Sequence, residues 1–397
     1  MIVSLLFGAG IFSGGGPLVA FTEPRVPLVL TLGSGRPVTG PGVAQAAASS
    51  KHPATIYTFF IFQANLWFIV ALSLLYAKGW PGLAARRDRI AGQFRPYYFK
   101  RMLLRIGRNI LKAIIWVLVL LILLSLIFDR FVQFRMDDKE LTSYFHEHHI
   151  EPHISYYRSH GRDIRYIQVG DTSQKATILF IHGAPSSLSY WRGYLSDSAL
   201  TSKAVIYALD RPGYGYSGLA DPMPDIAAQA AVIRPILDSL HQAHHPIVVV
   251  GVSYGAPIAC RLAMDYPELV DGLVLTGPAI GPGQERFFWF TNLVENPLIH
   301  WVVPRMLQSA NQEKIHHKEE LTKMLPLWPR IHVPVVYLQG AKDELVYTTN
   351  ADFARTHLTN VPYLNIQMIP GRGHLIAFAE KARIRKAILE VLDKVRN

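Results

Sequence analysis

Ser253, Asp343 and His374 occur in the chain order nucleophile, acid, base, and each follows a run with the composition of a β-strand. Residues 247–255 read Ile-Val-Val-Val-Gly-Val-Ser-Tyr-Gly, and the helix-compatible stretch Ala256–Tyr266 follows. A Gly-x-Ser-x-Gly turn between a buried strand and a helix is a nucleophile elbow, which holds the serine in a strained conformation and lifts its hydroxyl above the sheet edge. Side chains at Gly251 and Gly255 would collide with the neighbouring strand and helix. A serine hydroxyl is a poor nucleophile without a base, and the base needs an orienting acid. Val333–Gln339 reads as a strand ending in Gly340-Ala-Lys-Asp343-Glu344, so an acid lies just past a strand end. Asp343 is the preferred acid, with its neighbour Glu344 as the alternative. Tyr363–Ile369 alternates in period two and runs into Pro370-Gly-Arg-Gly-His374, which puts a histidine on the loop after the last strand.

Acyl transfer builds negative charge on a carbonyl oxygen, and that charge needs preorganised donors. One candidate donor is the backbone N–H of Tyr254, the residue after the nucleophile. The second is expected on the loop after an early strand. Ala176–Ile181 is such a strand, His182-Gly-Ala184-Pro follows it, and the Ala184 N–H is the candidate. His182 reads as a loop-shaping histidine bonded to backbone, not as a catalytic group. A further strand, Ala204–Leu209, ends in Asp210-Arg-Pro-Gly-Tyr-Gly-Tyr-Ser217, whose Gly and Pro content marks a tight loop.

His182-Gly-Ala-Pro, Asp210–Ser217, Gly251-Val-Ser-Tyr-Gly255, Gly340-Ala-Lys-Asp343 and Gly371-Arg-Gly-His374, taken together and in this order, resemble the α/β-hydrolase fold superfamily, in its serine-nucleophile, esterase- and lipase-like branch. The resemblance covers about residues 150–397. It implies a mostly parallel eight-stranded sheet with helices on both faces, Ser253 as nucleophile, Asp343 as acid and His374 as base. Epoxide hydrolases and haloalkane dehalogenases of this superfamily carry Asp at the nucleophile position, so Ser253 argues against both. The Asp-Arg-Pro-Gly loop is as similar to those branches as to esterases and selects no substrate. The implied activity is cleavage of a carboxylic ester through an acyl-enzyme. Thioesterases, peptidases, carbon–carbon bond hydrolases, perhydrolases and acyltransferases share the same three residues, and a ligand-binding protein that keeps the fold is the non-enzymatic alternative.

The elements that must position these residues follow the same pattern. Ile154–Arg158 and Asp163–Val169 flank Ser-His-Gly-Arg and read as a hairpin. Strands and helical stretches then alternate through residue 277, the signature of a parallel α/β sheet. Asp225–Leu240 has a helical pattern that Pro235 should kink. Residues 280–330 interrupt the alternation and include Phe287-Phe-Trp-Phe290, Leu298-Ile299 and Trp301-Val-Val303. This stretch is expected to be a small helical lid that lines an apolar acyl pocket.

The hydrolase-like part, residues 153–397, is too short to account for all 397 residues. Ile110–Phe128 is nearly all Leu, Ile and Val, broken chiefly by Lys112 and Ser125, and its 19 residues can cross a hydrocarbon core. Thr55–Ala77 is a second candidate span, although Gln63 and Asn65 interrupt it. Residues 1–54 read as a low-complexity, disordered region that lacks a secretory signal, 55–128 as a membrane-anchoring region with a basic loop at 78–109, and 129–152 as a linker. Residues 78–112 hold ten Lys and Arg against one Asp, while residues 113–397 hold 27 charges of each sign. The net charge of +11 therefore lies before residue 113, +9 of it in residues 78–112, and not in the hydrolase-like part. A basic loop beside apolar segments follows the positive-inside rule, which puts the hydrolase-like part on the non-cytoplasmic side, periplasmic or extracellular in a bacterium, and gives no reason to expect nucleic acid as a partner. Met102-Leu-Leu-Arg105-Ile-Gly-Arg108 before the apolar run resembles a signal anchor, with residues 1–101 as a mispredicted extension.

The expected partners are a hydrophobic ester and a membrane, and the chemistry calls for no cofactor. Cys260 is the single cysteine, expected to be a buried small apolar residue, so no intrachain disulfide forms. His146, His148, His149 and His153 match no zinc-binding spacing, and His316 and His317 are expected at the surface.

Overall fold

The computed structural model of the protein describes residues 96–241 and 245–396. The low-complexity region 1–54, the candidate span Thr55–Ala77 and the basic loop up to residue 95 lie outside the described residues. The chain divides into two units, Met1–Ile114 and Ile115–Asn397.

The described part of the first unit is the opening of a long helix, α1 (Pro96–Phe131). Here Arg105, Arg108 and Lys112 alternate with exposed apolar side chains such as Leu103, Leu104 and Ile106. The helix continues into the second unit as Ile115–Phe131, without a Gly or Pro to stop it. Its stretch Lys100–Phe131 is long and apolar enough to cross a membrane, and none of its apolar window is buried.

The second unit holds the sheet. Helix α2 (Asp138–Glu147) comes first, opened by a capping box. Asp137 Oδ1 accepts the Glu140 N–H at 2.7 Å, and Glu140 Oε2 accepts the Asp137 N–H at 3.0 Å. Leu141 and Phe145 on this helix are fully buried. The stretch expected as a linker is thus built into the core. A ten-residue helix with two large apolar residues on one face must bury that face, and the sheet offers the surface.

Eight strands follow: β1 (His153–Ser159), β2 (Arg162–Val169), β3 (Thr177–Ile181), β4 (Val205–Leu209), β5 (Ile247–Val252), β6 (Gly272–Thr276), β7 (Val335–Gly340) and β8 (Leu364–Ile369). They form one sheet in the order β1-β2-β4-β3-β5-β6-β7-β8. β1 and β2 are the expected hairpin, turned by His160 and Gly161, both at positive φ as a two-residue turn requires. β2 also runs antiparallel to β4, and all remaining neighbours are parallel. β3, β5, β6 and β7 are buried at every position, so they read as continuous apolar runs, as strands covered on both faces do.

The longer helices beside the sheet are α3 (Ile226–His241), α4 (Gly255–Asp265), α5 (Arg305–Met324) and α6 (Asn350–His357) in the connections, and α7 (Lys381–Arg396) after the last strand. Period-two alternation divides each strand between two cores. Leu179, Val249 and Leu273 pack with α3 and α4. Phe180, Val248, Val250 and Val274 pack with Leu141, Phe145 and α7 on the other face. Helix α3 continues past Pro235, and the Tyr157 hydroxyl donates to the Val232 carbonyl just before the proline. Between β6 and β7 stand the short helices Thr291–Val294 and Pro297–His300, then α5 and a 3₁₀ turn at Leu325–Arg330.

Candidate active site

The C-terminal ends of the parallel strands bring the sequence motifs to one edge, where an open α/β sheet places its ligand crevice. Ser253 directly follows β5 and has φ of +51°, a conformation that a residue with a Cβ adopts at a cost. The strain is held from both sides: the Ser253 N–H donates to Thr276 O on β6 at 3.0 Å, and Ser253 O accepts from the Ala256 N–H at 3.1 Å. A Cβ at Gly251 would come within 2.6 Å of the Gly255 carbonyl oxygen. At Gly255 it would strike the Ile181 and His182 carbonyls. Both glycines are therefore required by close backbone approach, as the motif implies.

His374, on the loop after β8, reaches both partners. Its Nδ1 is 2.8 Å from Asp343 Oδ2, and its Nε2 is 3.0 Å from Ser253 Oγ. An ionised carboxylate only accepts, so Nδ1 carries the proton and Nε2 is free to accept from the serine hydroxyl. Asp343 follows β7 and is buried. Its other oxygen accepts the N–H groups of Leu345 at 3.0 Å and Val346 at 2.9 Å. Burial pushes its carboxyl up, but the hydrogen bond and charge of His374 and the two backbone donors outweigh this and hold it below the usual carboxylate range. Glu344 is exposed, with its side chain away from this arrangement. Gly277 borders the imidazole and takes φ of +51°, a conformation that side-chain-bearing residues rarely adopt.

The His182–Pro185 loop lies against the serine. A Cβ at Gly183 would sit 3.1 Å from both Ser253 Cβ and the Val252 carbonyl oxygen, so a larger residue would press the loop away from the serine. The Ala184 N–H donates to no backbone carbonyl among the described residues. Tyr254 opens α4, with its ring buried and its hydroxyl donating to Pro224 O at 3.1 Å. His182 is fully buried and bonds backbone at both nitrogens: Nδ1–H donates to Gly183 O at 2.7 Å, and Nε2 accepts the Arg211 N–H at 3.0 Å. Burial and the nearby Arg211 charge hold it well below the usual histidine range, so it stays neutral and shapes the loop.

A buried polar cluster behind this loop escaped the sequence reading. Arg211 Nε donates to His182 O at 2.8 Å and Nη2 donates to Gly183 O at 3.0 Å, so one guanidinium holds both carbonyls of the loop. The same guanidinium forms a bidentate pair with Glu313 of α5, and both side chains are buried. Glu313 also accepts from Tyr214 Oη at 2.6 Å and Gln229 Nε2 at 2.9 Å. Asp210, beside Arg211, accepts the N–H groups of Leu188 at 2.7 Å and Tyr216 at 2.9 Å, which shapes the Asp210–Ser217 loop. The arginine was visible in the motif, but its partner lies 102 residues away on a polar helix with no local signature.

Two expectations for residues 280–330 are corrected. His317 is buried, not at the surface: its ring packs 4.6 Å from that of Tyr254, and its Nδ1 is 2.7 Å from Glu285. A polar helix laid over the site must turn some of its polar side chains inward; Glu313 is fully bonded there, whereas His317 Nε2 has no hydrogen-bond partner among the described residues. The aromatic stretch goes the other way. Trp289 and Leu298 are 84% and 81% exposed, so they do not line an acyl pocket. Cys260 is buried on α4, as expected.

A family model described as alpha/beta hydrolase fold matches residues 176–312. Epoxide hydrolase 1 of Caenorhabditis elegans is 28% identical over 164 residues, which is 38% of this chain and 38% of that protein, so the chain covers well under half the length of that relative. Among solved structures, a protein named as a lipase from Acinetobacter baumannii AYE superposes with a TM-score of 0.53 at 18% identity, covering 66% of this chain and 98% of its own. A membrane phospholipase A superposes with a TM-score of 0.50 at 20% identity, covering 75% of this chain and 99% of its own. At these identities the two structures speak to fold alone. With its strand order, its elbow and the matched family model in agreement, the chain has the α/β-hydrolase fold.

Proposed function

We propose that this protein is a membrane-anchored serine hydrolase that cleaves a hydrophobic or lipidic carboxylic ester. The observation that carries the reading is the hydroxyl of Ser253, raised on a positive-φ turn 3.0 Å from His374 Nε2, whose other nitrogen is bonded to a buried carboxylate. In this reading Ser253 Oγ attacks the ester carbonyl carbon as His374 takes its proton. Asp343 holds the imidazolium, and the N–H groups of Tyr254 and Ala184 receive the charge on the carbonyl oxygen. Collapse expels the alcohol, which leaves with the proton from His374. Water, deprotonated by the same imidazole, then splits the acyl-enzyme and restores the serine. Each step uses the chain's own groups and needs no cofactor.

The kinship with an epoxide hydrolase raises a rival chemistry. Opening an epoxide or displacing a halide through a covalent ester intermediate calls for a carboxylate nucleophile, and Ser253 cannot supply one. Acyl transfer is what a serine at this position does. The anchor reading rests on α1. Water exposure of seventeen Leu, Ile and Val side chains would be costly, whereas a bilayer accepts them, and the helix closes its own backbone hydrogen bonds. The basic side chains at its start favour the cytoplasmic side for that end, with the hydrolase domain on the other.

Fluorophosphonate labelling of the full chain in detergent, beside its Ser253→Ala variant, tests the chemistry. Labelling of the wild type and loss in the variant is the expected result. A folded wild type that neither labels nor turns over activated esters is instead a ligand-binding member of the fold.

A further inference from the structure

Residues 287–303 carry the most exposed large apolar side chains outside α1. Trp289 and Leu298 stand out, with Phe287, Leu293 and Trp301 each more than two-fifths exposed. An apolar surface of this kind marks a partner. The same segment is tied to the end of α1. Ser125 Oγ donates to the Val302 carbonyl at 3.0 Å, and Asp129 accepts the Arg305 N–H at 2.7 Å and its guanidinium at 2.9 Å and 3.0 Å.

These contacts give the segment a depth. Ser125 lies three residues before Phe128, where the apolar run ends, so at the helical rise of ~1.5 Å per residue Val302 sits about 4–5 Å inside that end. Amphipathic segments that lie in a bilayer interface bury their apolar faces to about 5–10 Å. The charged pair Asp129–Arg305 falls just beyond the run, at the level of the headgroups. Tryptophan favours that interfacial zone. Backbone polar groups at this depth need partners within the protein, and here they have them. The N–H groups of Ile299 and His300 donate to Asn296 O, those of Val302 and Val303 donate to Ile299 O and His300 O, and the Val302 carbonyl is taken by Ser125. Glu295, the acid of the segment, is turned away from the surface and accepts from Asn311 of α5.

We propose that residues 287–303 form a second membrane contact, seated in the interface of the bilayer that α1 spans, on the side of the hydrolase domain. The proposal rests on the reading of α1 as a spanning helix. It deepens the proposed function, because α5, fastened to this segment through Asn311, is the helix whose Glu313 and His317 reach the site. The substrate class that follows is an ester presented from the lipid phase.

The test uses the full chain in phospholipid nanodiscs, with a bimane fluorophore at Leu298→Cys, at Leu120→Cys in mid-helix and at Lys175→Cys before β3. The native Cys260 is fully buried, which shields it from the label. Loss of fluorescence to nitroxide-bearing lipid at 298 and 120 but not at 175, with iodide quenching only 175, is the expected pattern. Lipid quenching at 120 with iodide quenching at 298 overturns this inference and leaves the anchor standing. Shielding of 298 from both quenchers means that protein covers it, which also overturns it. No lipid quenching at 120 removes the anchor and the inference together. None of these readings depends on Ser253, so they are independent of the hydrolase chemistry.

Discussion

Asp343 and Glu344 are adjacent, equally acidic in type, and separated in role by one backbone step. Asp343 accepts from two backbone N–H groups and from His374, while Glu344 faces solvent. An acid in this position sets the tautomer and orientation of the imidazole and stabilises its charge. Asp343→Asn is therefore expected to lower kcat on an activated ester by up to about 10⁴-fold. Glu344→Gln changes only an exposed charge and is expected to leave kcat essentially unchanged. Steady-state kinetics on both variants decides the matter: a damaging Glu344→Gln with a tolerated Asp343→Asn would move the acid by one residue. The order and spacing of the motifs made the pair legible in the sequence, but the choice between the two needed the turn after β7, whose N–H groups converge on Asp343 alone.

At the scale of elements, α5 is the least conventional part of the fold. It is polar in composition, yet it buries Glu313, His317 and Ser309. Ser309 donates to Gly213 O at 2.8 Å, and Glu313 pairs with the arginine that holds the His182–Gly183 carbonyls. Removing one partner of a buried ion pair strands the other charge and costs about 3–5 kcal/mol. Glu313→Ala is expected to cost that much in chemical denaturation of the detergent-solubilised chain. The double change Arg211→Met with Glu313→Leu should recover most of it, since apolar residues of similar volume are well tolerated in place of such a pair. A loss below about 1 kcal/mol in Glu313→Ala would mean that water reaches the arginine and the pair is not a structural tie. Little of this was legible beforehand. An inward-facing glutamate on a charged helix has the same local sequence as an outward-facing one, and only the position of Arg211 distinguishes them.

For the whole molecule, the hydrolase unit begins earlier than its first strand. Leu141 and Phe145 of α2 belong to the core that holds Phe180 and Val250, and Arg165 of β2 reaches back to Met136 O at 3.0 Å and Asp138 at 2.6 Å. Fully burying two large apolar side chains stabilises by roughly 3–6 kcal/mol. A fragment starting at Ile154 is therefore expected to unfold at lower urea than one starting at Phe131, by about that free energy. Equal midpoints would show that α2 rests on the surface without contributing.

Local rules were enough for the strand runs, the hairpin turn at His160–Gly161, the glycine-framed serine and the order serine, acid, histidine. The runs, the turn and the framed serine each depend on residues within a few positions of one another, and the order of the three is read from short motifs in series. The fold followed from those same motifs. Contacts across the chain decided the rest. Burial of α2 needed the face of the sheet, the partner of Arg211 needed a helix 102 residues away, and the exposure of Trp289 and Leu298 is visible only in the folded chain. An apolar residue in sequence says only that it avoids water. Whether it finds a core or another apolar phase depends on which surfaces the folded chain leaves beside it.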